Sequence, residues 1–122
     1  MNLDKLAEIP TDADGIMAAA LRTLDALDEQ FGQDADERAA ILNGEPFIDV
    51  TAEQRGRGRG EVWVFVTASV QTARWVFDAD PVAIIKIRRR DGRIRRDELA
   101  RQVLRRAGFL NKVTVPVKFT AA

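Results

Sequence analysis

The chain has 122 residues, 46% hydrophobic and 31% charged, with 19 basic and 19 acidic side chains and neither histidine nor cysteine. That length holds one domain with a real hydrophobic core, and the composition excludes wholesale disorder. Absent cysteine excludes a disulfide framework and a thiolate metal site, and absent histidine removes the commonest general base.

The zero net charge is a cancellation. Residues 1–54 carry 13 acidic against 3 basic side chains, a net of −10, and residues 55–122 carry 16 basic against 6 acidic, a net of +10. Such a division fits a polyanionic partner, or two halves that attract one another within or between chains. No apolar run approaches the roughly 20 residues of a membrane span, so no membrane partner is expected. The opening "MNLDKLAEIPTDADG" is acidic where a signal peptide is basic. The expectation is an intracellular, cytoplasmic protein, or one carried in a virion assembled in the cytoplasm.

In chain order, Thr11 followed by Asp14 resembles a helix-opening capping arrangement. Met17, Ala20, Leu21, Leu24, Leu27 and Phe31 then recur at three- and four-residue steps, which predicts an amphipathic helix over about 12–31 closed by Gly32. A shorter helix follows over 35–43, with Asp34 near its start, Gly44 just past its end and Glu45-Pro46 breaking the pattern. "PFIDVT" reads as a short strand.

"EVWVFVTASVQTARWVF" is one long strand or a pair with a bend, with Val62, Val64, Val66, Ala68 and Val70 on one face and Trp63 and Phe65 on the other. Apolar residues on both faces predict a central strand. Asp78-Ala-Asp-Pro81 reads as a turn, "VAIIKIRRR" as a strand with Ala83, Ile85 and Ile87 inward, and Asp91-Gly92 as a tight turn. A helix over 96–107 turns Leu99, Val103, Leu104 and Ala107 inward and stops at Gly108. "KVTVPVKFT" alternates cleanly, and Pro116, lacking an amide donor, places that strand at a sheet edge or at an interrupted pairing.

The expected architecture is one α+β domain over 1–122, with an acidic helical segment (1–44) and a basic sheet-plus-helix segment (45–122). A mostly antiparallel sheet of about four strands carries the helices on one face, in the order α-α-β-β-β-α-β. Trp63, Phe65, Trp75 and Phe77 are then candidates for a subunit interface.

Catalytic chemistry finds few carriers. Ser69 is the only serine and sits mid-strand without a recognisable base, so a nucleophilic triad is not expected. The pairs Asp34/Asp36 and Asp78/Asp80 match no calcium loop, and Asp78/Asp80 reads as turn chemistry. "DADPVAIIKI" echoes a nuclease arrangement of an acid before a strand lysine, but Ile84 occupies the place of the second acid. A non-enzymatic protein without cofactor or metal is the expectation.

"RGRGRG" is neither a dinucleotide fingerprint nor a phosphate-binding loop, because its glycines alternate strictly and it precedes a strand. Arg55, Arg57 and Arg59 instead suit contact with phosphates, as do Arg88, Arg89, Arg90, Arg93, Arg95 and Arg96 further along. The competing reading for each is a solvated, charged surface. Asp97 and Glu98 at the start of the last helix argue against base readout by it.

Two functions follow from these features. One is an oligomeric structural subunit of a ring- or shell-type assembly such as a phage particle, whose acidic half meets the basic half of the next copy. The other is a sequence-nonspecific nucleic-acid-binding accessory or regulatory protein. The order helix, sheet, helix, strand is similar to that of small ring-forming proteins of tailed-phage necks and tails, a likeness of element order that no motif carries.

Overall fold

The computed structural model describes residues 3–32, 35–89 and 92–122; of Phe31 and Arg59 only the backbone is described. Three helices and four strands follow one another as α1 (Ala13–Phe31), α2 (Ala35–Leu42), β1 (Glu45–Arg55), β2 (Glu61–Gln71), β3 (Val76–Arg88), α3 (Arg96–Arg106) and β4 (Val117–Ala121). The fold is α+β. The sheet order is β3-β2-β1-β4, and the sheet is mixed: β1–β2 and β2–β3 pair antiparallel, whereas β4 joins β1 in parallel. No helix among the described residues is long and apolar enough to cross a membrane.

The helices start and stop close to the expected residues. The first is capped by Asp12 rather than Thr11, its carboxylate accepting from the Gly15 amide at 2.7 Å, and Gly32 closes it at φ 90°. Its buried stripe is Ile16, Ala19, Ala20 and Leu24, with Met17 and Leu21 packed alongside and Leu27 exposed. The Thr23 hydroxyl, buried within that stripe, donates to the Ala19 carbonyl and accepts from the Asp80 amide, both at 2.9 Å. Asp34, Arg90 and Asp91, singled out in the sequence, lie outside the described residues.

Three strands depart from expectation, one of them β4, which covers only Val117–Ala121 where the alternation of "KVTVPVKFT" predicts a strand over 112–120, so that Pro116 precedes it. β1 runs 11 residues rather than six, paired with β2 along its whole length from Glu45↔Gln71 to Arg55↔Glu61. The Asp78–Pro81 stretch is not a turn but the interior of β3, where the register with β2 slips between Thr67 and Ser69. Residues 79–81 bulge out of the ladder there, and Pro81, which has no amide to donate, occupies the irregularity. The real reversal is Thr72–Trp75: the Thr72 hydroxyl donates to the Trp75 carbonyl at 2.7 Å and accepts from the Trp75 amide at 3.0 Å.

A continuous core gathers alternate residues of the strands with the buried stripes of the helices. Ile48, Val50 and Ala52 of β1, Val62, Val64, Val66, Ala68 and Val70 of β2, and Ala83, Ile85 and Ile87 of β3 all lie in it. Ile41 of α2 and Ala100, Val103 and Leu104 of α3 join them. β4 is an edge strand, as Pro116 implied, and the Ile48 amide donates to the Pro116 carbonyl at 2.9 Å. The Arg101 guanidinium of α3 lies 4.1 Å over the Phe119 ring of β4.

Candidate interaction surfaces

Strand register decides where the arginines go. Arg55, at the end of β1, is opposite Glu61 at the start of β2, which in turn is opposite Arg88 at the end of β3. The Arg–Gly segment closes this β1–β2 hairpin as a short 3-10 turn over Arg57–Arg59. Gly56 (φ 88°) and Gly58 (φ 66°) occupy left-handed conformations that side chains resist, so two of the alternating glycines are required by the turn itself. The segment is therefore a shaped turn rather than a loose tether. A Cβ built at Gly58 meets nothing within 4 Å, which marks the turn as projecting.

One end of the sheet thus assembles arginines distant in sequence. The Arg89 amide donates to the Gly60 carbonyl at 2.7 Å, tying the end of β3 to the turn. The Arg89 side chain itself is structural, donating to Gln54 at 3.2 Å and to the Gly92 and Ile94 carbonyls. Arg95 is exposed and paired with Asp97 at 3.1 Å, Arg96 is half-buried, and Arg88 and Arg93 are exposed. Arg55 is paired with Glu53 at 2.7 Å, Arg57 is exposed, and Arg59 and Arg90 are not described in this respect.

The opposite end of the sheet is where Glu45, Gln71 and Val76 meet. Beside it α2 and the Thr72–Trp75 turn enclose a cleft of about 510 Å³, whose lining includes Asp36, Glu37, Asn43, Arg74 and Trp75. Arg38 of α2 pairs with Asp25 of α1 at 2.8 Å. The ion pairs Lys5–Glu8 and Arg38–Asp25 lie inside the acidic part of the chain, and Arg95–Asp97 and Arg101–Glu98 inside the basic part. Arg55–Glu53 joins neighbours on one strand. Arg55–Glu53 and the attraction of Lys118 for Asp49 cross from the basic to the acidic part.

Between the two ends, the strand residues alternate to the core form a grid on the other face. Trp63 and Phe65 of β2 sit opposite Lys86 and Ile84 of β3, and Thr67 opposite Val82. The Trp63 and Phe65 rings are 6.4 Å apart, tilted by 42°. The Arg55 guanidinium lies 4.5 Å from the indole centroid and the Lys86 ammonium 4.3 Å, so cations from both neighbouring strands flank one ring. The indole N–H donates to Glu61 at 3.0 Å. Val82 and Ile84 remain 39% and 42% exposed, large values for β-branched residues on a strand. Of the four aromatics expected at an interface, this face holds Trp63 and Phe65. Trp75 is exposed at the cleft. Phe77 instead points into the core, because β3 begins at Val76 and its alternation turns Phe77 inward.

Lower on the same face, the buried Ser69 hydroxyl donates to the Asp78 carboxylate at 2.7 Å. Asp78 is thus the partner Ser69 lacked on sequence grounds, but the serine is sealed from any substrate. Burial, aided by the negative charge of Asp78 and opposed by Lys118, raises Asp49 above the ordinary aspartate range. A carboxyl whose pKa is higher folded than unfolded favours folding as it protonates, so this contribution grows as pH falls through the folded value and is absent near neutrality. Asp49→Asn is expected to raise stability at neutral pH and to flatten its rise toward acid, read from thermal unfolding across pH. Asp78→Asn is expected to lower the Asp49 titration midpoint, read by NMR.

Among the described residues no group of three or more acidic side chains is placed to hold a metal ion. No family model matches the chain, and comparisons with curated proteins and with solved structures find no match either.

Proposed function

We propose that the chain is a non-enzymatic assembly subunit, a homo-oligomeric ring- or shell-type component of a larger complex such as a phage particle. The observation that carries this reading is the apolar strip of Trp63, Phe65, Val82 and Ile84 on the sheet face opposite the core. In this reading the helices cover one face of the sheet and a neighbouring subunit covers the other. The strip is half-buried at Trp63 and Phe65 and exposed at Val82 and Ile84, and charged side chains frame it; aromatics beside aliphatics within a polar rim are the composition of an interface. The separation of acidic and basic ends along the sheet adds a long-range orienting field between copies.

The test is solution mass at low and high salt. A species larger than the monomer is expected, and Ile84→Lys or Val82→Lys is expected to weaken its association by about tenfold or more. Both positions are exposed on an edge strand, so the fold should survive substitution, checked by circular dichroism. A monomer under every condition overturns the reading.

The second reading, nonspecific nucleic-acid binding, draws on one specific observation: register and turn bring Arg55, Arg57 and Arg88 to one end of the sheet, and Arg95 lines a shallow depression with Arg89, the residue after β3. It requires DNA or RNA affinity that falls linearly on a log–log salt plot, with a slope that shrinks in Arg88→Ser and Arg95→Ser. No binding at low salt removes it.

A further inference from the structure

We infer, resting on the assembly reading, that the neighbour on the Trp63–Ile84 face is a second copy related by a two-fold axis, its β3 lying antiparallel over the first. β3 exposes every second side chain along most of its 13 residues. Its register with β2 sets Lys86 opposite Trp63, Ile84 opposite Phe65, Val82 opposite Thr67 and Asp78 opposite Ser69. Residues 79–81 bulge out of the ladder, which brings Asp78 to the outward rung next to Val82. At successive outward rungs the strand therefore reads basic, apolar, apolar, acidic. Turned end for end, the order is acidic, apolar, apolar, basic. A copy laid across it in that direction sets Lys86 against Asp78 and Ile84 against Val82, and the two-fold axis repeats both contacts.

Size follows the same rule. On β2 the large Trp63 and Phe65 lie on one side of that axis and the small Thr67 and Ser69 on the other, so reversal seats large side chains over small ones. Lys86 and Asp78 are exposed and held in place: the ammonium lies 4.3 Å from the Trp63 centroid, and one carboxylate oxygen accepts from Ser69. Among the described residues neither has a counter-ion at salt-bridge distance. Packing the same two faces with their strands parallel would set basic end on basic end, Lys86 and Arg88 with Arg55, which like-charge repulsion disfavours. Three strands of 11 to 13 residues, about 4.8 Å apart, make a face of roughly 33 by 14 Å, to which β4 adds. Two such faces together hide about 1,000 Å², the lower bound of a specific contact. An isologous contact closes at two copies, so a larger ring or shell adds a second, different surface.

Charge exchange between chains tests this contact. Lys86→Asp and Asp78→Lys are each expected to weaken self-association at low salt by about tenfold or more. An equimolar mixture of the two single variants is expected to recover most of the loss as a species of dimer mass, because every reversed charge then meets its opposite. Asp78→Asn keeps an acceptor for Ser69 and removes only the charge, so it serves where circular dichroism shows Asp78→Lys unfolded; a loss of about threefold, with weaker salt dependence, is expected of it. A wild-type dimer indifferent to these substitutions overturns the contact, while weakening by Ile84→Lys still supports assembly through the face. Mixed variants no tighter than either alone, or a closed wild-type ring of odd number, overturn the two-fold axis and leave the assembly reading standing. A wild-type monomer at every salt concentration overturns both, and makes another protein the cover of this face.

Discussion

Ile48→Ala is expected to lower the unfolding free energy by about 2–5 kcal/mol, the cost of a buried cavity plus the lost transfer of its methyl and methylene groups. Ile48 is fully buried in the first half of β1, flanked in register by Ala68 of β2 and Val117 of β4. Its amide holds the Pro116 carbonyl, so the residue sits where the antiparallel meander acquires its one parallel partner. The neighbours cannot close the gap easily: Ala68 is small, and the β1 backbone is paired on both sides. Denaturant unfolding should show a lower midpoint with an unchanged slope. A loss below the range expected for trimming a buried isoleucine would mean that the core at this position is looser than described.

Gly44→Ala is expected to cost about 1–3 kcal/mol or more, by overpacking rather than by backbone strain. A Cβ there would run into the Val70 side chain, lie 2.8 Å from the Gln71 carbonyl and 3.2 Å from that of Ile41. The first of these can yield, but the carbonyl oxygens belong to a paired strand and a helix end and cannot. The Gly44 amide also donates to Ile41 at 3.0 Å, so the chain cannot swing aside without releasing the end of α2. Thermal unfolding of the variant checks this.

The helices were legible because apolar periodicity and punctuation agreed. Gly32 and Gly44 mark boundaries that local chemistry alone explains, whereas the first helix's cap is Asp12, one residue beyond the expected Thr11. The β2–β3 reversal matches the pair-with-a-bend reading, but its position was hidden for a local reason: Thr72–Trp75 contains no glycine, proline or asparagine, and the turn is made by one threonine hydroxyl. The adjacent Asp78-Ala-Asp-Pro81, which has every compositional mark of a turn, is absorbed as a bulge within a strand. Moving that boundary by a few residues is what reversed the expected direction of Phe77.

Of the interaction surfaces, Trp63 and Phe65 were visible from alternation alone. Val82, Ile84 and Lys86 were implied by the inward Ala83, Ile85 and Ile87 but gain meaning only beside the aromatics. The gathering of Arg55 with Arg88, and the separation of Asp36 and Glu37 from both, depend on register and on helix placement. No spacing along the chain records those. The parallel pairing of β4 is likewise a tertiary outcome, for its alternation fits either direction of approach.

The bulge in β3 has a consequence for how such molecules can accumulate. A free strand border is a template for open-ended cross-strand stacking, the route by which sheets grow into fibres. Here one border is interrupted at residues 79–81, where Pro81 offers no hydrogen to a newcomer, and the other is β4, five residues long and bearing Lys118. Neither border supplies a long, regular rail. Indefinite backbone polymerisation of this chain is thereby disfavoured at both borders.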